Sequence, residues 1–261
     1  MDHSAFGVPP VNRIYGVVIG VVTDNNDPEG MYRVKVKFPW VMSADTGDTG
    51  EFSSTWCRIT TFMGGADRGS FFLPEKDDEV LVVFEHGDVR RPFVIGSLWS
   101  PKDKPIHDNK SQSGKNDFRT IYSRCGHIIQ FEDKKGKEKI ILQTKAGVGE
   151  AATAHKSRSG HFIVMDCSSG AEKIQIYDGP QKNFLEIDST NNKIHMKSAE
   201  GNILIEAPQG EIKLSSKTLL TESSSTTTIK SQAAMTIQSQ ATADIKSSSG
   251  MTSKGSTVNI N

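Results

Sequence analysis

The stretch LEIDSTNNKIHMKSAEGNILIEAPQGEIKLSSKTLLTESSSTTTIKSQAAMTIQSQATADIKSSSGMTSKGSTVNIN, Leu185 to Asn261, repeats an apolar-x-apolar pair along its whole length. Leu185/Ile187, Ile194/Met196, Ile203/Ile205 and Ile212/Leu214 recur every nine residues. After a less regular step at Leu219 and Leu220, Thr227/Ile229, Met235/Ile237, Ala243/Ile245 and Met251/Ser253 recur every eight, and Val258/Ile260 follows seven later. Side chains alternate across an extended chain, so each pair occupies one face of a short strand. The Ser, Thr, Lys, Asn, Gly, Gln and Ala between pairs suit a corner and a solvated outer face. A helix would need apolar residues at i, i+3, i+4 and i+7, which the stretch lacks. The pattern predicts a winding β-structure with one short strand per repeat.

A repeat this small cannot bury its apolar pair alone and must stack on neighbours. With one or two aliphatic residues per repeat, a single-chain solenoid has a very thin core, whereas three chains on one axis share theirs. The expected fold of this part is therefore a homotrimeric, intertwined triple-stranded β-helix, or β-prism. Its predicted core is Leu185, Ile187, Ile194, Met196, Ile203, Ile205, Ile212, Leu214, Ile229, Met235, Ile237, Ile245, Val258 and Ile260. At roughly 4.8 Å per repeat, nine or ten repeats give a rod of about 45 Å. The competing reading, disordered low-complexity sequence over Thr221–Thr228 and the Ser-rich tail, carries less weight because the pairs keep their phase through that tract.

The 261 residues suffice for one large or two ordinary domains, and 31 basic and 31 acidic residues cancel. That balance gives no overall electrostatic footprint for nucleic acid or a membrane surface. An apolar share of 35% is low for a globular protein and fits a thin-cored fibrous part joined to a normal globular one. Cys57, Cys125 and Cys167 are an odd number with no CxxC, suggesting neither a disulfide framework nor a zinc site, and are read as buried reduced thiols. The N-terminus MDHSAFGVPP has no apolar signal core, and no long apolar run follows. Synthesis and folding in the cytoplasm are expected.

In chain order, residues 1–13 form an arm containing Pro9 and Pro10, and residues 14–100 form a barrel. YGVVIGVVT (Tyr15–Thr23) is a glycine-punctuated strand, and Asn25–Gly30 is a turn. Tyr32–Phe38 alternates, placing Tyr32, Val34, Val36 and Phe38 towards a core and Arg33, Lys35 and Lys37 towards water. A Gly/Asp/Thr loop spans Ser43–Ser54, and strands follow near Thr55–Thr60, Glu79–Phe84 and Pro92–Gly96. Five or six strands without a helical pattern argue for a small closed barrel. Residues 101–118 are a polar linker. Residues 119–184 carry wider β-segments at Gly126–Phe131, Lys139–Thr144, Gly160–Met165, Lys173–Tyr177 and Phe184–Ile187, read as the widened base of the prism, with Gly147–Ser159 an exposed loop. Residues 185–261 form the spike.

The segments YGVVIGVVTDNNDPEGMYRVKVKFPW, FFLPEKDDEVLVVFEHGDVRRPFVIGSLW and GHIIQFEDKKGKEKIILQT resemble phage baseplate spike proteins and the valine-glycine repeat (VgrG-like) proteins of type VI secretion. The resemblance implies an oligonucleotide/oligosaccharide-binding-like (OB) barrel over residues 14–100, handing over at the linker to a prism. Many members of that family carry a long hub region before the barrel, which here begins almost at once, so the resemblance implies a separate hub protein at the barrel end. Some spikes insert a lysozyme domain at the linker, for which 101–118 has no room.

Several residues invite a chemical reading. His127 and His161 each follow a glycine at a strand head, and three-fold symmetry could gather copies around a metal, but each is isolated. No His-x-His, the iron-binding tip pattern of some phage spikes, occurs near the C-terminus, so no metal and no cofactor are expected. Asp77, Asp78 and Glu79 could serve acid/base chemistry but stand in a turn before a strand with no partner nucleophile. Arg90 and Arg91 with Arg33, Lys35 and Lys37 could line a nucleic-acid face, against which the balanced charge argues. Trp40, Trp56 and Trp99 are read as core or trimer-interface residues. Ser53, Ser54 and His86 make no hydrolase elbow, and no enzymatic activity is expected.

The function these readings imply is the homotrimeric central spike of a contractile injection machine, driven through a target envelope that it contacts only mechanically. The expected partners are the hub at the barrel end, baseplate and inner-tube components, and a tip-capping protein of the proline-alanine-alanine-arginine repeat (PAAR) type on Ser256, Thr257, Val258, Asn259, Ile260 and Asn261. Two other readings are a trimeric receptor-binding fibre or adhesin, which calls for a distal knob, and an envelope-degrading spike enzyme, which calls for a catalytic domain. The expected location is the baseplate of a phage tail-like particle.

Overall fold

Alternation in RVKVKFPWVM builds the central strand of the first half. The computed structural model describes residues 13–42, 51–108, 110, 113–144 and 160–258, and the N-terminal arm, the Ser43–Gly50 loop and the Gly147–Ser159 loop lie outside them. Strand β2 (Arg33–Met42) buries Val34, Val36 and Phe38 almost completely. Around it stand β1 (Val18–Asp24), β3 (Glu51–Ser53), β4 (Cys57–Ile59), the short hairpin β5 (Gly64–Gly65) and β6 (Arg68–Gly69), β7 (Glu79–Phe84) and β8 (Pro92–Ser97). The sheet runs β1-β7-β8-β4-β2-β3 and closes through a β1–β2 pairing. Five strands thus form a barrel, with β3 added on β2 and a parallel β4–β8 contact completing the circuit. This is the expected all-β OB-like barrel.

Nine buried residues, among them Val22, Val80, Val82 and Val94, fill its interior. Such valine-rich alternation suits the narrow space inside a small barrel. Phe38 bridges the core to Phe52 and Phe84, with ring centroids 5.6 and 5.8 Å away. The glycine inside the first strand has a steric cause: a Cβ on Gly20 would lie 2.2 Å from Val36 Cγ1, where β1 crosses β2.

Three side chains of β2 and the residue before it differ from expectation. Tyr32 adopts φ 57° and lies against Phe71 on the outside instead of entering the core. Arg33 is pulled from water by Asp27, 2.7 Å away, and Lys35 lies 4.9 Å from the ring centre of Trp56. Both are half-buried because the turn and Trp56 cover them.

Beyond the linker, β9 (Phe118–Tyr122), β10 (Ile128–Glu132), β11 (Lys139–Gln143), β12 (Phe162–Asp166), β13 (Lys173–Tyr177), β14 (Asn183–Asp188) and β15 (Lys193–Ser198) form one antiparallel meander in chain order. One face buries Ile128, Gln130, Ile141, Phe162 and Val164. Phe162, Tyr177 and Phe184 stack in succession across it, with centroids 5.1 and 4.8 Å apart. Along one edge of this face the registered residues are Glu132, Lys139, Asp166, Lys173, Asp188 and Lys193, a ladder of alternating charge. Lys139 pairs with Asp166 at 2.7 Å and Lys173 with Asp188 at 3.1 Å. Opposite charges placed directly across from each other fix the register of neighbouring strands.

The first two repeat pairs lie in this meander. Leu185 and Ile187 sit in β14 opposite Met196 and Ile194 of β15, so here the chain doubles back as hairpin arms where the sequence suggested continuous winding. From 199 to 258 no strand forms within the chain, and the apolar pairs stand exposed. The chain divides into two units, residues 1–203 and 204–261.

Asp188 makes the sheet acid-sensitive. Hydrogen bonds from the Asn191 side chain and backbone, then contact with Lys173, hold its carboxyl at about 2, below the ordinary 3.8. The unfolded chain therefore binds the proton first, and the stabilisation is present above pH 3.8 and lost as pH falls towards 2. Melting followed by circular dichroism should show Asp188→Asn below wild type at neutral pH, with the gap closing across that window. A gap independent of pH would contradict the assignment.

Candidate assembly surface

Six of the seven strands of the meander carry an apolar-x-apolar pair or its equivalent on the face opposite the charge ladder. Registered pairing aligns Ile129 with Leu142, Leu142 with Ile163, Ile163 with Ile176, and Ile176 with Leu185. A second row aligns Phe131 with Ile140, Ile140 with Met165, Met165 with Ile174, and Ile174 with Ile187. Most of these side chains remain about 40% exposed, for example Ile129 at 42%, Phe131 at 44% and Ile176 at 44%. An antiparallel sheet ordinarily turns polar residues to solvent. A continuous uncovered apolar face of this extent marks an interaction surface.

The apolar surface continues onto the barrel. Ile121 on β9 belongs to the open face and also lines a groove of about 970 Å³ with Phe62, Phe72, Trp99, Ile106 and Tyr122. Arg124 and Glu75, 2.6 Å apart, bridge the sheet and the barrel at its rim. The linker packs alongside: His107 stacks on Phe118 at 4.8 Å, its Nε2 lies 2.8 Å from Thr120 Oγ1, and burial pushes its pKa down. On the barrel the β5–β6 hairpin exposes Phe62, Met63, Phe71 and Phe72 at its base. Tyr32 anchors that base, its hydroxyl donating to the Phe72 carbonyl at 2.8 Å and accepting the Phe72 N–H at 3.1 Å.

In the second unit the repeat pairs present a further series of exposed apolar side chains. Ile205, Ile212, Leu214, Ile229, Met235, Ile237 and Ile245 are all exposed, as are Ile194, Met196 and Ile203 in the first unit. Leu185 and Ile187 are half-buried. Of the residues expected at the tip, Ser256, Thr257 and Val258 are exposed, and Asn259, Ile260 and Asn261 lie outside the described residues.

Several of the residues that invited a chemical reading make bonds within the fold. The Asp27 carboxylate accepts the backbone N–H groups of Glu29 and Met31 and both arms of Arg33, whose bond holds its pKa well below the usual carboxylate range. Arg90 pairs with Asp88 at 2.9 Å and Arg91 with Glu85 at 3.1 Å. Ser54 Oγ accepts the Val36 N–H and the Cys57 thiol. Asp78 closes the turn before β7 through the Glu75 N–H. His161 Nδ1 accepts the Gly179 N–H at 3.2 Å, and His127 is exposed at the head of β10. Among the described residues no cluster of three or more His, Cys, Asp or Glu could hold a metal. Nor is any described helix long and apolar enough to cross a membrane.

One expectation needs correction. Only Cys57 is buried, its thiol pushed up to about 11 by burial, whereas Cys125, in a turn, and Cys167, just after β12, are exposed. Trp56 is half-buried and Trp99 is 67% exposed, so Trp99 is no core residue of the single chain. The side chain of Trp40 lies outside the described residues. Sequence reasoning missed the apolar sheet face, although Ile129/Phe131, Ile140/Leu142, Ile163/Met165 and Ile174/Ile176 carry the same apolar-x-apolar signal as the repeats.

A closed OB barrel joined to a sheet with an uncovered apolar face defines a β-rich assembly component. Residues 18–99 match the type VI secretion system/phage-baseplate injector OB domain. The chain is 28% identical over 135 residues to the type VI secretion system spike protein VgrG1b of Pseudomonas aeruginosa, covering 49% of this chain and 18% of the relative. It is 30% identical over 172 residues to spike protein VgrG5 of the same organism, covering 60% of this chain and 21% of the relative. The actin cross-linking toxin VgrG1 of Vibrio cholerae is 30% identical over 115 residues, covering 43% of this chain and 10% of the relative. Over these stretches the chain is similar to VgrG spike proteins, and its barrel matches the type VI and phage-baseplate injector OB domain. It spans about a fifth of the length of the Pseudomonas relatives it matches.

Apolar surfaces this large mark interaction sites, so this one is expected to be covered in the native protein. Acrylamide quenching of wild type against Trp99→Phe isolates the Trp99 signal. Trp99 should be shielded in the purified native protein and become accessible on denaturation, and equal accessibility in both states would contradict this.

Proposed function

We propose that the protein is the homotrimeric central spike of a contractile injection machine, its barrel end docked to a hub and its C-terminal end leading. The observation that carries the reading is the series of largely uncovered apolar pairs that recurs in the strands of the meander and in the repeats after it. Three chains around one axis can turn these pairs inward and supply backbone partners to the extended segments, which one chain alone leaves unpaired. The family relationship supports the baseplate setting, and the injector OB domain supports assigning the barrel to the hub end.

Mechanical piercing follows from the same physics. An intertwined prism has its strand groups bonded between chains, so opening one repeat requires separating several chains at once. Such a rod resists local unfolding under axial load, and the envelope need only be displaced. An open strand edge in such a prism is a template for unwanted pairing unless capped, and the reading includes a PAAR-type tip protein on residues 256–261. Baseplate and inner-tube components complete the partner set. No residue of this chain acts on the target chemically in this reading.

Light scattering of the purified protein tests the assembly. The expected mass is close to three times the 28.5 kDa chain mass, and the species should survive SDS at room temperature. A monomer would remove the shared core and with it the spike function.

A further inference from the structure

The repeat corners contain a regular device. Ser223 Oγ donates to the Thr226 carbonyl at 3.1 Å, Ser231 Oγ to Ala234 at 2.9 Å, Ser239 Oγ to Thr242 at 3.1 Å and Ser247 Oγ to Gly250 at 2.7 Å. These four serines are eight residues apart. Each bonded carbonyl belongs to the residue immediately before an apolar-x-apolar position: Thr227/Ile229, Met235/Ile237, Ala243/Ile245 and Met251/Ser253. Three of the hydroxyls also accept a backbone N–H inside the same corner, from Ser225 at 3.4 Å, Ala241 at 3.3 Å and Gly250 at 3.1 Å. Short-range bonds from serine to backbone two or three residues on are what bend a chain into a turn.

The nine-residue repeats lack the hydroxyl-to-carbonyl bond: Ser198 Oγ donates to Asn183 Oδ1 at 3.0 Å, and its corner keeps only the N–H bond also seen at Ser247. The Gly201 N–H donates to Ser198 Oγ at 3.2 Å, and the Gly210 N–H donates to the Ala207 carbonyl at 3.2 Å. The next pairs, Ile203/Ile205 and Ile212/Leu214, begin five residues after Ser198 and Ala207. In the serine corners the pair begins four residues after the serine. The change of corner chemistry and the shortening of the repeat by one residue therefore fall together.

That single residue matters because extended side chains alternate. A slip of one position turns an apolar pair from the inside to the outside. No strand ladder inside the single chain holds the corners in place, since 204–258 forms none. The local serine bonds are present without one.

We propose that Ser223, Ser231, Ser239 and Ser247 are positioning residues that set the eight-residue register. They form each corner within the single chain, so that three chains meet with their apolar pairs already in phase. The proposal rests on the trimeric spike reading. It adds the residues that determine how the rod winds and the partner they prepare for, two further copies of this chain. Pre-bent corners lower the ordering cost that each chain meets on assembly, and that cost is a large opposing quantity in any association of flexible segments.

The test uses the full-length chain, unfolded in guanidinium and refolded by dilution, with recovery of SDS-resistant trimer followed in time. Three quadruple variants are compared with wild type. Replacing the four serines by alanine removes the staples, and replacing them by threonine keeps the hydroxyls. Replacing the adjacent octad positions Ser224, Gln232, Gln240 and Ser248 by alanine is the composition control. The alanine staple variant should assemble roughly tenfold more slowly or not at all, with the threonine variant and the control within about twofold of wild type. The inference is overturned if the alanine staple variant assembles at the wild-type rate, or if the control slows equally. Wild type that never forms an SDS-resistant trimer would instead remove the spike reading beneath it.

Discussion

Every extended repeat of the C-terminal segment carries backbone donors and acceptors that the segment cannot pair internally. A polar backbone shut away from water must find partners, and an exposed strand edge invites them from another chain. The barrel meets this requirement by closing on itself through β1 and β2, and the meander meets it by pairing seven strands side by side. Residues 204–258 meet it in neither way. Both their exposed apolar pairs and their unpaired backbone fit the trimer proposed above, in which further copies of the chain would cover and pair them.

The sheet shows how one element can serve the chain and the proposed assembly. One face is settled within the chain by stacked aromatics and by the alternating ladder from Glu132 to Lys193, which fixes strand register through charge. The other face holds two rows of aliphatic side chains in the same register and leaves them half-exposed. Because the charge ladder fixes the register, the apolar rows on the opposite face arrive aligned. In the proposed trimer that alignment is what a shared core requires, and the groove at Ile121 and Trp99 carries the apolar surface to the barrel.

Much of this was legible in the sequence where period-2 alternation met a buried face. Val34, Val36 and Phe38 alternate cleanly and are buried as the pattern requires, whereas the continuous apolar run of β7 buries only Val80, Val82 and Phe84 and leaves Leu81 and Val83 half-buried. The β-segments from Ile128 to Asp188 also fall within about two residues of their expected positions. What failed was the fate of individual polar or aromatic side chains, which depends on distant partners. Arg33 is covered because Asp27 in the preceding turn reaches it, and Tyr32 leaves the core because a left-handed backbone swings it onto Phe71. Cys125 sits in a turn and Cys167 at the exposed end of β12, where a small apolar side chain gains no burial. For the assembly surface the apolar-x-apolar signal extended upstream to Ile129, but irregular loop lengths hid its period.

The most direct measurement is amide hydrogen exchange over residues 204–258 in the native full-length protein. Shared strand ladders between chains predict exchange slowed by roughly a thousandfold or more at the repeat pairs, with the corners faster. Exchange across the whole segment at the rate of an unfolded chain would contradict the account, because the extended repeats would then have found no partners.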